Sequence, residues 1–509
     1  MSLNLGVLLR ESAKKHPDRV AIVIGETKLT YATLHTYAQK LAGSLKELGV
    51  ERGQHVALML PNVPHFTIAY FAVHYCGAVV VPLNVLLKGD EVQYHLEDSD
   101  AVALVAWEGF IEEAQKGFSR ADVCKNLVLA KADPADVTAP DGMSNMTALI
   151  GTGEAVTELP ATNPDDTAVM LYTSGTTGKP KGAELTQFNM FYNAEYASGR
   201  LLPITEDTVA LATLPLFHSF GQTVIQNAVL GKGGTLVLLP RFDPVAAMGL
   251  MQQHQVTLFA GVPTMYFALL NHPEAANHDL SSLQVCVSGG SAMPVEVMKA
   301  FDDKYDVNIL EGYGLSETSP VASFNQLDRP KKAGSIGVPI WGVEFRLEDA
   351  DGNVVTQTEQ PGEICIRGHN VMKGYYKRPE VNAEQIRDGW FYTGDIGTRD
   401  EDGFYYVVDR KKDMIIRGGF NVYPREIEEV LYAHPAVVEA AVIGIPHESH
   451  GEEVKAVLAL KPGQSTTEKD IIAYCKEKLA AYKYPRAVAF MNELPKGPTG
   501  KILKRELRD

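Results

Sequence analysis

The chain has 509 residues, which exceeds the usual size of a single domain and predicts at least two. Hydrophobic residues make up 45% of it and charged residues 22%, a composition typical of globular proteins. The formal net charge of −16 disfavours a nucleic-acid-binding protein, because there is no basic excess to neutralise phosphates.

The cysteines and the N-terminal residues favour a reduced, cytoplasmic compartment. Five cysteines are scattered along the chain without a Cys-x-x-Cys pair. The first residues lack the basic and then apolar pattern of a secretory signal peptide. The stretch from His55 to Leu87 has no charged residue, but prolines interrupt it, so it predicts a buried strand, helix and strand rather than a membrane span.

The first third of the chain alternates helical and strand patterns, which is typical of a doubly wound α/β sheet. Apolar residues at helical spacing predict a helix over 30–48. Short apolar runs predict strands and one further helix: strands at 56–60, 78–82, 103–106 and 127–130, and a helix at 65–75. Residues 131–165, rich in Asp, Ala, Thr and Pro, predict a loose connection.

A buried strand over Thr167–Tyr172 leads into the segment Thr173–Gly182, which is rich in Gly, Ser, Thr and Lys. Backbone amides, hydroxyls and the ammonium groups of Lys179 and Lys181 suit the oxygens of a polyphosphate. The segment does not match the Walker A pattern, because Pro180 follows Lys179 where Ser or Thr is needed.

The same alternation continues after this loop. Strands are predicted at 208–214, 234–239, 256–261, 283–288 and 308–311, and helices at 244–254, 263–271 and 294–305. Three polar or glycine-rich segments follow such strands: His218, Gly289–Ser291 and Gly312–Gly314. Ligands bind at the carboxyl ends of strands in open α/β sheets, so these segments are expected to share one site with the loop.

From Ala333 the pattern changes to glycine-punctuated strands, namely 334–337, 343–347 and 362–367, which predict a β-rich subdomain. The charged run Asp409–Asp413 follows a strand over Phe404–Val408. About a hundred residues remain, enough for a small α/β unit. Its predicted helices lie near 424–433 and 468–480, and its strands near 437–445 and 454–460.

Thr173–Gly182 resembles the phosphate loop of the adenylate-forming enzymes, which are the acyl-CoA synthetases, adenylation domains and firefly-type luciferases. The resemblance extends over nearly the whole chain. It implies a large N-terminal α/β domain over 1–408, with a β-rich subdomain at about 333–408, and a small mobile α+β domain over 409–509. One departure is Gln187, since many relatives have His there.

The resemblance also implies a site for ATP and AMP. Glu311–Thr318 resembles the adenine motif, with the ring of Tyr313 against the base, and Trp390–Asp395 resembles the motif whose aspartate binds the ribose hydroxyls. Glu317 is expected to hold Mg²⁺, which prefers carboxylate and phosphate oxygens. The complete predicted set is Thr173, Ser174, Gly175, Thr176, Thr177, Gly178, Lys179, Lys181, Gly289, Gly290, Ser291, Glu311, Gly312, Tyr313, Gly314, Thr318, Asp395 and Arg410.

The implied reaction has two steps that share one acyl site. A carboxylate attacks the α-phosphate of ATP and releases pyrophosphate, and a thiol, that of CoA, then replaces AMP. Lys501 lies in Pro498–Ile502, which matches the motif of the family's catalytic lysine, and its ammonium would stabilise the crowded negative charge of the first step. Arg417, Gly418 and Gly419 match the loop that lines the pantetheine tunnel, and Asp409 matches the hinge.

By resemblance the acyl pocket is formed by Phe217, His218, Gly221, Val262, Tyr266, Gly289 and Gly314, with His218 as a gate beside the carboxylate. The ranges 208–231, 244–272 and 283–295 contain no charged residue, so the sequence offers no partner for a second carboxylate or for an amino group. An apolar monocarboxylate is therefore favoured. The motifs look most like those of bacterial medium- or long-chain fatty acid–CoA ligases.

Several alternatives remain open from the sequence. An aryl acid or a malonate-type acid is the alternative substrate, and a separate carrier protein is the alternative thiol acceptor. A luciferase-like oxygenase has no support in the sequence. The expected partners are small molecules, with peripheral membrane contact and a homodimer both left open. His447 and His450 are three residues apart, but the sequence identifies no third ligand for a metal there.

Overall fold

The computed structural model describes residues 3–173, 179–418, 420–447, 449–497 and 501–508. Within these ranges the chain forms two large mixed sheets, a smaller antiparallel sheet and a C-terminal sheet with its own helices. The predicted fold class, a large α/β part with a β-rich subdomain and a small C-terminal unit, is confirmed.

The first part of the chain alternates helices and strands as predicted. The elements are α1 (Val7–Lys15), β1 (Val20–Ile24), β2 (Thr27–Thr30), α2 (Tyr31–Glu47), β3 (His55–Met59), α3 (Pro64–Cys76), β4 (Val79–Pro82), α4 (Gly89–Asp98), β5 (Ala101–Trp107), α5 (Ile111–Phe118), β6 (Asn126–Ala130), β7 (Ser144–Asn145), α6 (Met146–Thr152) and β8 (Thr167–Thr173). β8, β4, β3, β5 and β6 are neighbours in that order and all parallel, which is a doubly wound arrangement.

The prediction of an unstructured connection over 131–165 was wrong in part. α6 begins after Asn145, whose side-chain oxygen accepts the backbone N–H of Ala148 and so caps the helix. Asn145 also donates to the carbonyl groups of Asp136 and Thr138, which anchors the polar segment before it. The helix has only seven residues, too few for an apolar period to be recognised in the sequence.

Most of the strands that follow the polar loop belong to the second large sheet, although the first of them pairs with β8 in the first large sheet. The elements here are β9 (Lys181–Thr186), α7 (Gln187–Tyr196), β10 (Val209–Ala212), α8 (Ala228–Gly231), β11 (Thr235–Leu238), α9 (Pro244–Gln253), β12 (Leu258–Gly261), α10 (Pro263–Asn271), β13 (Val285–Ser288), α11 (Val295–Tyr305), β14 (Ile309–Gly314) and β15 (Val321–Phe324). β11, β10, β12, β13 and β14 are parallel neighbours in that order. β14 runs to Gly314, past its predicted end at Glu311, because its last residues pair antiparallel with β15.

The next part of the chain contains β16 (Val338–Pro339), β17 (Val343–Glu348), β18 (Gly362–Gly368), β19 (Gly374–Tyr375), α12 (Pro379–Gln385), β20 (Ile386–Arg387), β21 (Trp390–Arg399) and β22 (Tyr405–Arg410). β17, β18, β20, β21 and β22 form the sheet of the β-rich subdomain, whereas β16 pairs with β15 and β19 with β9 in the large sheets. Two predictions were wrong here. Residues 334–337 form a turn with positive φ at Gly334 and Gly337. Asp409 and Arg410 belong to β22 rather than to a charged break after it, because both pair with β21.

The C-terminal unit comprises β23 (Ile415–Arg417), β24 (Phe420–Val422), α13 (Pro424–Tyr432), β25 (Val437–His447), β26 (Gly451–Leu460), α14 (Glu468–Lys478) and β27 (Ala487–Met491). Its buried side chains form a separate hydrophobic cluster that includes Ile427, Val442, Val454 and Ile471. A core of its own is what an independently moving unit requires.

All five cysteines, Cys76, Cys124, Cys286, Cys365 and Cys475, are buried and free. Burial disfavours the charged thiolate, so the pKa of each thiol is raised, to about 12 for Cys76 and about 11 for Cys475. These residues therefore act as small apolar side chains of the core.

Among the described residues, no helix combines the length and the apolar character needed to cross a bilayer. α3, in the charge-free stretch, has only 13 residues and packs against α2 in the main hydrophobic core.

Two interior helix glycines provide a test of the packing. A Cβ added to Gly43 of α2 would lie 1.8 Å from the carbonyl oxygen of Glu154, whereas Gly249 of α9 has no atom within 4 Å of such a Cβ. Alanine is favoured over glycine in a helix by about 1 kcal/mol, so Gly249→Ala is expected to raise the thermal unfolding midpoint. Gly43→Ala should lower it, because overpacking costs about 1–3 kcal/mol. Circular dichroism melts of both variants test this, and a similar rise for both would contradict it.

Candidate functional site

The end of β14 and the middle of β21 form one wall of the site. The hydroxyl of Tyr313 donates to Oδ2 of Asp395 at 2.7 Å, and Nε of Arg410 lies 3.5 Å from Oδ1 of the same carboxylate. Asp395 and Arg410 face each other because they are register partners of β21 and β22. The predicted adenine and ribose residues therefore lie side by side around a carboxylate that is only 6% exposed.

The glycines of this wall allow close backbone contacts. A Cβ on Gly314 would lie 1.6 Å from the carbonyl oxygen of Pro320, and one on Gly312 would lie 2.7 Å from the ring of Phe324. A side chain at Gly314 would therefore displace the backbone at Pro320, and one at Gly312 would displace the ring of Phe324. The hydroxyl of Thr318 accepts the N–H of Leu315, so the predicted phosphate contact competes with a bond inside its own turn.

Glu317, the predicted metal ligand, lies at the end of the site where the predicted phosphate-binding residues meet. Its Oε1 accepts hydrogen bonds from the hydroxyls of Thr173, at 3.0 Å, and Tyr375, at 2.8 Å. The ammonium of Lys181 lies 5.5 Å from the centre of the Tyr375 ring, so the end of β8, the start of β9 and the turn after β14 converge here. The predicted loop residues Ser174, Gly175, Thr176, Thr177 and Gly178 lie outside the described residues.

Two tyrosines at this end were missed by the sequence reasoning. Tyr375 holds Glu317, as described above, and Tyr94 lies under the ammonium of Lys179 at 4.9 Å. The Tyr94 hydroxyl also donates to the carbonyl of Pro180 at 2.7 Å. Neither tyrosine is in a recognisable motif, and both come from distant parts of the chain, so no sequence signal identified them.

Gly289, Gly290 and Ser291 form the turn between β13 and α11. Gly290 has a φ of +80°, and a Cβ on Gly289 would meet the ring of Phe220 at 3.1 Å. The turn thus brings the nucleotide wall against the segment that contains His218. Among the described protein atoms, one oxygen of the nearby Glu311 accepts the N–H of Met293 at 3.1 Å and the other has no partner. Burial raises the pKa of the Glu311 carboxyl to about 7.

The predicted acyl residues divide into two groups. Phe217, His218 and Gly221 follow β10, and Val262 lies against the turn at Gly290. Burial, and then the charge of Lys501, lower the pKa of His218 to about 4, so its imidazole is neutral at physiological pH. Tyr266 is a core residue instead. Its hydroxyl donates to the carbonyl of Val287 at 2.7 Å and its ring packs on Phe259 and Phe301.

A buried polar segment follows His218. Residues 221–227 form a π-helix, a conformation often found at functional sites. Several of its polar side chains are fully buried, and neither polar atom of Gln222 has a hydrogen-bond partner among the described residues. Gln226 accepts from Thr67 and Asn227 donates to the Tyr70 hydroxyl, so this segment is joined to α3.

Lys501 reaches the same site from the C-terminal unit. The N–H of Gly497 donates to the Lys501 carbonyl at 2.8 Å, and Lys496 pairs with Ile502, which forms a small antiparallel bridge around the segment. Burial and the charge of Arg410 lower the pKa of Lys501 to about 8, whereas the Asp395 carboxylate raises it. The tail lysine thus lies near Asp395, Arg410 and His218, which are residues of the predicted nucleotide and acyl sites.

Arg417 and Gly418 make different contacts. Among the described residues, Arg417 forms a two-bond ion pair with Glu453, at 2.5 and 2.9 Å, and the N–H of Gly418 donates to the carbonyl of His450 at 2.8 Å. These bonds stay within the C-terminal sheet. Gly419 lies outside the described residues. Lys501, rather than Arg417 or Gly418 of the predicted tunnel loop, is therefore the residue that the structure brings to the predicted nucleotide residues.

Asp409 joins the large part to the C-terminal unit. Its two carboxylate oxygens accept the backbone N–H groups of Arg410, at 2.7 Å, and Arg425, at 2.8 Å. Arg425 lies at the start of α13, so one carboxylate holds backbone from both sides of the junction. Burial raises the pKa of this carboxyl, and the charge of Lys504 opposes the rise.

Comparison with known proteins agrees with this geometry. The family model described as AMP-binding enzyme matches residues 9–376, and that described as AMP-binding enzyme C-terminal domain matches 426–501. A long-chain-fatty-acid–CoA ligase of Bacillus subtilis is 39% identical over 98% of this chain and 93% of its own. A feruloyl-CoA synthase of Amycolatopsis is 39% identical over 97% and 96%. ATP-bound MatB of Rhodopseudomonas palustris superposes with a TM-score of 0.91 at 31% identity, over 100% and 98%.

The lowered pKa of Lys501 can be tested directly. The neutral amine is the form that reacts with an acylating reagent, and an ordinary lysine becomes neutral only near pH 10.4. Labelling of Lys501 by trace acetic anhydride, quantified by mass spectrometry between pH 6 and 11, is expected to rise through about pH 8. A midpoint above pH 10 would contradict the burial of the ammonium.

Proposed function

Since this chain belongs to the AMP-binding enzyme family of adenylate-forming acid–CoA ligases, we propose that it ligates a medium- or long-chain fatty acid to CoA through an acyl-adenylate, with release of AMP and pyrophosphate. The observation that carries the proposal is the position of Lys501, an ammonium among Asp395, Arg410 and His218.

In the first step an oxygen of the fatty acid carboxylate bonds to the α-phosphorus of ATP, and the bond to the bridging oxygen of pyrophosphate breaks. Tyr313 and Asp395 would hold the nucleoside, and Lys501 would lie against the oxygens that gain negative charge. His218, neutral because of its burial, would orient the carboxylate without attracting it as a cation would.

The residues near Glu317 suit Mg²⁺. A buried carboxylate held by two hydroxyls keeps an oxygen for a hard cation, which favours carboxylate and phosphate ligands. When bound, Mg²⁺ would neutralise charge on the phosphates. Glu317 would hold it, and Thr173 and Tyr375 would orient Glu317.

For the second step the C-terminal unit, residues 409–509, would turn about Asp409. Lys501 would leave the site, and the loop Arg417–Gly419 would take its place beside the acyl-adenylate. The thiol of CoA would then attack the acyl carbon and AMP would leave. The position of Lys501 near Asp395 and His218, while the described loop residues Arg417 and Gly418 make contacts within the C-terminal unit, supports this proposal. Domain motion of this kind gates many enzymes.

The fatty acid is favoured by the residues around the predicted acyl site. The ranges 208–231, 244–272 and 283–295 carry no charged side chain, so a second carboxylate or an ammonium on the substrate would be buried without a partner. The curated long-chain-fatty-acid–CoA ligases that resemble this chain, at 36–39% identity, agree with this substrate.

An aryl acid is the second candidate. The feruloyl-CoA synthase is as similar to this chain as the Bacillus subtilis ligase, at 39% identity. The side-chain amide of Gln222, which has no hydrogen-bond partner among the described residues, lies one turn after His218. A phenolic hydroxyl could use this amide as donor or acceptor.

The role of Lys501 leads to a selective prediction. Lys501→Ala should reduce adenylate formation, measured as pyrophosphate exchange, by a factor of roughly a hundred or more. Thioester formation from supplied acyl-adenylate and CoA should change far less. Lys476→Ala, an exposed lysine of the same unit, is the matched control and should behave as the unchanged protein. An equal loss in both steps would contradict the assigned role.

A substrate panel separates the candidates. Octanoate, palmitate, coumarate, ferulate and malonate can be compared by kcat/KM in a pyrophosphate-release assay. The fatty acids are expected to be preferred, because each buried methylene group contributes about 0.8 kcal/mol. A preference for coumarate or ferulate would establish an aryl acid as the substrate. A preference for malonate would contradict the argument that the acyl site has no partner for a second carboxylate.

A further inference from the structure

A second cluster of ligating side chains lies outside the candidate site, at the tip of the β25–β26 hairpin. The Nδ1 atoms of His447 and His450 are 3.1 Å apart, and ligand atoms of both histidines and Glu453 all lie within 4.8 Å of one another. The sequence showed the two histidines but no third ligand.

The hairpin register explains why these residues converge. His447 pairs with Gly451 and Ile445 pairs with Glu453. Side chains alternate between the faces of a strand, so His447 and Glu453 project from the same face. His450 lies in the connecting turn, directly before Gly451, which has a φ of +76°. Its ring folds against that of His447, with ring centres 4.8 Å apart.

The chemistry of this set suits a transition metal. Two imidazole nitrogens and one carboxylate form a common zinc ligand set, whereas Mg²⁺ and Ca²⁺ prefer oxygen alone. Nitrogens bound to one zinc at about 2.0–2.1 Å in tetrahedral geometry are separated by roughly 3.4 Å, close to the spacing of the two histidines. Both histidines are exposed, so an ion can reach them from solvent.

Two protein groups already hold the Glu453 carboxylate, namely the backbone N–H of Val454, at 2.9 Å, and the side chain of Arg417, which competes with an ion for it. Arg417 of β23 pairs with Gly451 in the sheet, and its guanidinium holds both oxygens of Glu453. We propose that this hairpin binds a divalent zinc-class ion through His447, His450 and Glu453, and that the ion takes Glu453 from Arg417. Because Gly418 donates to the carbonyl of His450, the ion site is joined directly to the loop at Arg417–Gly418.

The proposal does not depend on the reaction, and its test measures metal binding alone. The full chain, freed of metal with a chelator, is titrated with Zn²⁺ by calorimetry and with Co²⁺ by visible absorption, in the presence of excess Mg²⁺. One ion per chain is expected. His447→Ala and His450→Ala should each weaken binding by at least about tenfold, since even residues outside the ligand shell contribute that much. His278→Ala, a partly exposed histidine of the large part, should not.

Substitution of Arg417, which competes for the carboxylate, tests whether Glu453 is a ligand of the ion. Arg417→Met should tighten Zn²⁺ binding severalfold, because it frees the carboxylate, and Glu453→Gln should weaken it. Circular dichroism checks that each variant is folded. The hydrogen bond between the two imidazoles is the alternative explanation of their contact. If that hydrogen bond is the whole explanation, the unchanged chain will bind Zn²⁺ no more tightly than the doubly substituted H447A/H450A chain, and this result would overturn the proposal. If Arg417→Met and Glu453→Gln both leave the affinity unchanged, Glu453 is not a ligand of the ion.

Discussion

The burial of one ammonium group, that of Lys501, against the large part of the chain is the interaction on which this site depends. The flanking bridge of Lys496 and Ile502 presents the lysine, and Asp395 partly compensates for its loss of solvent. Burial and the charges of Arg410 and Lys412 lower the pKa of Lys501, although Asp413 also favours the charged form. The phosphate groups of a bound nucleotide would offset the repulsion between these cations. Nucleotide binding and the position of Lys501 in the site would therefore favour each other.

Acidic side chains near Arg425 hold the junction between the two parts. Asp409 accepts a backbone N–H from each side, and Arg425 lies near Glu311 and Glu429. Burial raises the pKa of all three carboxyls. Such groups are costly to leave without partners, so the contacts of Asp409 and Arg425 favour the arrangement of the two parts described here.

Much of the fold followed from the sequence, because the period of apolar residues sets the helices and strands of a buried sheet. α2, α3, β8 and α10 lie close to where the sequence predicts them. The short helix α6 and the extension of β14 were missed, since a cap and a pairing partner decided them. The family resemblance of three motifs predicted Tyr313, Asp395 and Lys501 as site residues, and the structure brings them together. Tyr94, Tyr375 and Glu453 were not predictable, because their roles come from contacts between distant segments.

The five buried cysteines have a consequence for an enzyme family that handles a thiol and activated acyl groups. Only the thiolate is a strong nucleophile, and every thiol of this chain is shielded and has a raised pKa. The protein therefore offers no exposed thiol that could compete with coenzyme A for the mixed anhydride or exchange with its oxidised form. Self-acylation and mixed disulfides are both suppressed by packing alone.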